Sequence, residues 1–131
     1  VKITSATGTI SERTSNEGLS GAYFTSEGIT GNALWGTSAK WAAVTGTIEG
    51  EAVSVAAFDH PKNLNFPSNM MVRPYGLLAL NPLGEKAFGT DRKERRTVLR
   101  KGETLAFRYR LLIASGKLSQ QEIEKEYRKF V

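Results

Sequence analysis

The chain has no cysteine and only one histidine among its 131 residues. Without cysteine there are no disulfides, no thiolate nucleophile and no thiolate-ligated zinc or iron–sulfur centre. The compartment stays open, because secreted and periplasmic bacterial proteins often lack disulfides. One imidazole without clustered carboxylates cannot build an ordinary copper site, which needs several nitrogen or sulfur ligands. The sequence shows no HExxH, no C-x-x-C, no calcium-loop spacing and no glycine-rich phosphate loop after a strand, so it names no metal and no cofactor. No apolar run approaches the roughly 18 residues of a membrane span, and the opening VKITSATG lacks the basic-then-apolar pattern of a signal peptide.

A chain of this length fits a single domain that buries roughly two-thirds of its extended surface on folding, so a core forms without covalent staples. Its net charge is +5. The positive residues concentrate late in the chain, at Arg92, Lys93, Arg95, Arg96, Arg100, Lys101, Arg108 and Arg110. A nucleic-acid surface calls for a recognisable module or for basic residues interleaved with exposed aromatics. Neither is evident, and the basic stretch is read as a solvated face or a protein contact.

Taken in order, the first 30 residues are rich in Ser, Thr and Gly and read as short edge strands and turns. Residues 41–48 and 51–58 have strand character on either side of Glu49-Gly50, which predicts an antiparallel hairpin. Trp41 is assigned to the core; Trp35, between Leu34 and Gly36, is either core filling or a platform for a sugar ring. Residues 104–114 alternate with period two, placing Leu105, Phe107, Tyr109, Leu111 and Ile113 on one strongly apolar face and Arg108 and Arg110 on the other. This long strand is expected to pair with Arg95–Leu99 across Arg100-Lys101-Gly102-Glu103. At the end, Ser119 and Glu122 make a capping box, and Ile123, Tyr127 and Phe130 form the apolar stripe of a helix over 120–129.

The stretch from Ser54 to Gly84 carries the chemistry. An apolar strand, Val53–Phe58, runs into Asp59-His60-Pro61, and the proline holds His60 extended at a strand end. Asn63, Asn65, Pro67, Ser68 and Asn69 then make a polar loop. The break at Arg73-Pro74-Tyr75-Gly76, with proline inside a strand pattern, indicates an edge or a bulge and turns Arg73 and Tyr75 out of the core. His60 is the candidate acid/base, since its ordinary pKa is near neutrality. Arg73 offers a planar donor fork for a carboxylate or sugar hydroxyls, and Tyr75 a hydroxyl or a stacking face. Asp59, Asn63, Trp35 and Asn81 complete the candidate substrate-binding set. Each has a structural alternative: a latch for His60, turn chemistry for the asparagines, and an ion pair to Asp59 or Glu85 for Arg73.

Ala57-Phe58-Asp59-His60-Pro61 with Asn63, Val72-Arg73-Pro74-Tyr75-Gly76 and Asn81-Pro82-Leu83-Gly84 together resemble the uncharacterised family labelled "methane oxygenase PmoA". Leu34-Trp35-Gly36, Ala39-Lys40-Trp41, Lys101-Gly102-Glu103 and Phe107-Arg108-Tyr109-Arg110 extend the resemblance from about Gly28 to the C-terminus. The family's members are about twice as long, so the resemblance implies the C-terminal part of a longer protein, and a partner that is either the remaining N-terminal half or a second copy. It further implies a mainly β fold, an antiparallel β-sandwich forming half of a mutarotase-like super-sandwich with one C-terminal helix. The ligand class implied is a saccharide, with His60, Arg73 and Tyr75 as its site. The non-catalytic alternative is a structural or carbohydrate-binding sandwich.

Overall fold

The computed structural model describes residues 21–73, 76–89, 91, 92, 94 and 96–131. Its strands are β1 (Ala22–Thr25), β2 (Trp41–Ile48), β3 (Glu51–Asp59), β4 (Asn69–Arg73), β5 (Leu77–Asn81) and β6 (Tyr109–Ser115), and the chain closes with helix α1 (Gln120–Arg128). Among the described residues two antiparallel sheets form, one in the order β1-β2-β3-β6 and the other the hairpin β4-β5. The fold is mainly β and sandwich-like, with a single C-terminal helix.

The β2–β3 hairpin is the centre of the larger sheet, with Ile48 opposite Glu51 and Trp41 opposite Phe58. Its two-residue turn puts both Glu49 (φ 53) and Gly50 (φ 87) in the left-handed region. That conformation matches the twist of the flanking strands.

Alternation along β2 and β3 sends side chains to two separate cores. On one face Trp41, Ala43, Ala56 and Phe58 pack with Ile123 and Tyr127 of the helix. On the other, Ala42 joins Leu34, Ala39, Met70 and Val72, with Leu78 and Leu80 against them. The molecule therefore has three layers: helix, four-stranded sheet and two-stranded sheet.

The helix is held in place by its own sequence. Ser119 Oγ accepts from Glu122 N, and the Glu122 carboxylate accepts from Ser119 N, giving the expected capping box. Glu124, on the side facing the sheet, accepts the Trp41 indole N–H at 2.8 Å and the Lys40 ammonium at 3.1 Å. Burial acts to raise its pKa, but these donors and the nearby Arg128 outweigh it and hold the carboxyl below its ordinary value.

The segment before β6 differs from expectation. Residues 104–108 and 96–100 form no strand and no ladder with each other; a turn closed by Glu103 N to Arg100 O joins the two arms. β6 pairs instead with β3, Asp59 opposite Tyr109 and Val53 opposite Ser115. The strongly apolar face is not a core face: Tyr109, Leu111 and Ile113 are 43, 61 and 67% exposed, while Leu112 on the opposite face packs towards the helix. The smaller sheet packs against β2 and β3 of the larger one, with Tyr23 of β1 beside it, and leaves this face of β6 exposed. The edge strands expected within residues 1–20 lie outside the described residues.

Candidate functional site

The expected site residues fall into two neighbourhoods. The first lies where β3 ends. Asp59 follows Ala57 on the face towards the smaller sheet, and its carboxylate is fully buried, accepting from Asn63 Nδ2 at 2.7 Å and Ser68 N at 2.8 Å. Asn63 also holds the backbone of Arg108 from both sides: its Oδ1 accepts from Arg108 N and its Nδ2 donates to Arg108 O, each at 2.7 Å. Asp59 and Asn63 thus tie the 60–69 loop to β3 and to the start of β6. Buried polar groups paired this completely act as a latch.

His60 points to the opposite face, as neighbours in a strand must. Its ring meets Phe130 edge-on at 5.2 Å, its Nδ1 accepts from Lys62 N at 3.1 Å, and its own N–H donates to Arg108 O. One ring nitrogen is thereby fixed as an acceptor by main chain, and the adjacent carboxylate is directed away. Beneath it, the Tyr127 hydroxyl donates to Asp59 O at 3.1 Å. Burial, reinforced by the charges of Asp59 and Glu124, pushes the Tyr127 phenol up from 10.0 to about 12. Tyr109 is also raised, by burial and then by Asp59, with an opposing interaction from Ser68. The fully buried Ser68 Oγ finds no aligned hydrogen-bond partner among the described residues.

The second neighbourhood covers the outer face of the smaller sheet. Met70 and Val72 face the core, so Asn69, Met71 and Arg73 face out, and the register places Asn81 and Ala79 beside Asn69 and Met71. Trp35, half-buried after the short 3-10 turn Gly31–Leu34, lies here, with the Arg73 guanidinium 4.0 Å from its ring centroid. Phe88 meets Trp35 edge-on at 5.6 Å, and Arg92 lies over Phe88. Gly36 makes this packing feasible: it has φ +76, and a Cβ there would come within 2.8 Å of Phe88. Arg92 also reaches Asn69 Oδ1 and Glu85 Oε1, while Asn69 Nδ2 donates to Glu85 Oε2.

Arg73 pairs with neither of its expected carboxylates, because Asp59 is in the buried latch and Glu85 pairs with Arg92. Among the described residues its guanidinium meets only the Trp35 ring. Asn81 performs turn chemistry, its Oδ1 accepting from Leu83 N and Gly84 N. Tyr75 lies outside the described residues.

The structure therefore brings Arg73, Trp35 and Asn81 to one neighbourhood and His60, Asp59 and Asn63 to another, with His60 on the helix side of the four-stranded sheet and Arg73 on the outer face of the smaller one. Two open cavities, of about 760 and 590 Å³, lie along the helix and β1, and none of these six residues lines either. Phe88 did not stand out in the sequence, and Asn69, Glu85 and Arg92, which stood out there as a loop residue, an alternative partner of Arg73 and part of the basic stretch, join it in building the surroundings of Trp35. Only the closeness of Glu85, Phe88 and Arg92 along the chain hinted at a common face.

A family model described as a family of unknown function, DUF6807, matches residues 4–128. The chain belongs to this family. No curated protein and no solved structure matches it. The DUF6807 assignment covers nearly the whole chain, including both neighbourhoods, the latch and the helix. Among the described residues no group of three or more His, Asp or Glu side chains converges as metal ligands would. Nor, among the described residues, is any helix long and apolar enough to cross a membrane.

Proposed function

We propose that this DUF6807 domain binds a saccharide bearing a carboxylate, such as a uronate or aldonate, without catalysing a reaction on it. The observation that carries the reading is Arg73: a half-buried guanidinium oriented by the Trp35 ring, with no carboxylate partner among the described residues. A guanidinium stacked on an aromatic face is fixed in plane while its N–H groups point outward, the geometry for gripping a carboxylate with two parallel bonds. Asn81 and Arg92 lie on the same face, engaged with their own neighbours, and Tyr75 is two residues from Arg73 in the chain. The sequence resemblance to the PmoA-labelled family, with its mutarotase-like sandwich, supports a sugar as the ligand class. His60 favours a binding role over catalysis, because its Nδ1 is held by main chain and Asp59 faces away from it.

The test is a titration of the chain with neutral sugars, uronates and aldonates, followed by calorimetry and chemical-shift changes. Uronate or aldonate binding is expected, with shifts at the Trp35 indole. Arg73→Ala abolishes it, Arg73→Lys weakens it, and neither shifts the melting temperature much. His60→Ala leaves it intact. Failure of every saccharide to bind, or undiminished binding by Arg73→Ala, overturns the reading.

A further inference from the structure

β6 is the last strand of the four-stranded sheet, and its outer edge pairs with no described strand. Of its residues, Arg110, Leu112 and Ala114 are register partners of Phe58, Ala56 and Ser54 in β3. Arg108 O and Gly116 N, the even-numbered positions at either end, bond towards β3 through His60 N and Ala52 O. In an antiparallel ladder the alternate residues turn their N–H and C=O groups the other way. Tyr109, Leu111, Ile113 and Ser115 thus present a row of main-chain donors and acceptors on the open side of the sheet, unpaired with any described strand.

The two faces beside that edge differ in chemistry. On one, Tyr109, Leu111 and Ile113 are exposed, continued by Phe107 stacked on Tyr109 at 5.9 Å and flanked by the half-buried Val53 and Val55 of β3. On the other, Arg108 and Arg110 are exposed and form no ion pair among the described residues; Arg110 rests over the Phe130 ring at 4.8 Å. An open edge with a long apolar face invites pairing unless charge or a bulge blunts it. Here the charge lies on the opposite face and leaves the edge accessible.

We propose that β6 docks an extended segment of another polypeptide, apolar on the side that meets Leu111 and Ile113 and acidic on the side that meets Arg108 and Arg110. A strand of that pattern extends the hydrogen-bonded ladder, covers the apolar face and neutralises two arginines in one alternation. A second copy of β6 fits less well. In the antiparallel self-pairing centred on Leu112, Leu111 faces Ile113 of the copy but Arg110 faces Ala114, so the copy brings no acid to either arginine.

The probe is an acetylated, amidated peptide alternating valine and glutamate, with a valine–lysine peptide as control, added to the full chain. In the free chain the amides of Leu111 and Ile113 exchange fast while those of Leu112 and Ala114 are protected. The glutamate peptide slows exchange at Leu111, Ile113 and Ser115, and added salt weakens its binding. Arg108→Glu with Arg110→Glu weakens it several-fold and lets the lysine peptide bind instead. Leu111→Lys abolishes binding, while unchanged protection of Leu112 shows that β6 is still folded. Equal binding of both peptides, absence of protection at the odd-numbered amides, or concentration-dependent self-association that protects them without peptide each overturns the proposal.

Discussion

Asn63 contributes to stability through what its removal would expose. Truncating it to alanine strips the partner from Arg108 N–H and from one oxygen of the buried Asp59 carboxylate, and leaves Arg108 C=O with only the His60 N–H. Leaving such groups unpaired costs about 1–3 kcal/mol each, partly relieved where water enters. Asn63→Ala is therefore expected to lose about 2–4 kcal/mol in urea unfolding. His60→Ala removes a partly exposed ring contact with Phe130 and is expected to lose about 1 kcal/mol or less. If His60→Ala proves the more damaging, the latch has been assigned to the wrong residue. His60, Arg73 and Asn63 all stood out in the sequence as polar residues at strand ends. Their roles were not legible there, because a latch and a ligand site use the same chemical groups and differ only in which groups lie opposite.

The elements follow local rules that can be tested one at a time. Ser119→Ala removes the side-chain acceptor of the capping box and is expected to cost about 1 kcal/mol, readable as a shift of the urea midpoint. Gly36→Ala meets two penalties, a left-handed backbone and a clash with Phe88, so it should destabilise the fold and displace Phe88 from Trp35. Loss of the ring-current shift on the Trp35 indole would report that displacement; an unchanged spectrum would argue against the packing. Hairpin and helix were both readable from sequence because their signals are local: two turn residues in one case, a cap and a 3.6-residue period in the other. The partner of β6 was not. Period two identifies a strand, but its apolar face is the same whether it packs against its own sheet or stays open to another chain.

At the scale of the whole molecule, the pH dependence has two limbs with different owners. Tyr127 has a folded pKa raised from 10.0 to about 12, so its neutral form is favoured in the fold. Its contribution is complete below pH 10.0 and is lost as pH climbs towards 12. Tyr109, shifted in the same direction, adds to this limb. Glu124 has a depressed folded pKa, so its contribution is complete above the ordinary carboxylate range and is lost as pH falls through its lowered value. Melting temperatures across pH should fall on both sides. Tyr127→Phe should flatten the alkaline limb, and Glu124→Gln the acid limb; an alkaline limb unchanged by Tyr127→Phe would exclude that residue as its source.

By itself the sequence determined the class and the parts: a cysteine-free, mainly β chain, the Glu49-Gly50 hairpin, the capped helix, and the strand end at Asp59-His60. Each is encoded over a few residues by turn geometry, capping and hydrophobic period. Only the tertiary structure decided how those parts are shared between faces. Alternation at the end of β3 sends Asp59 into a buried latch and His60 to the helix side, whereas alternation in β4 sends Arg73 outward onto Trp35. Whether two strand ends join in one pocket depends on which layers they border. That is fixed by the order β1-β2-β3-β6 and by the placement of the smaller sheet over β2 and β3, long-range pairings that no local pattern encodes.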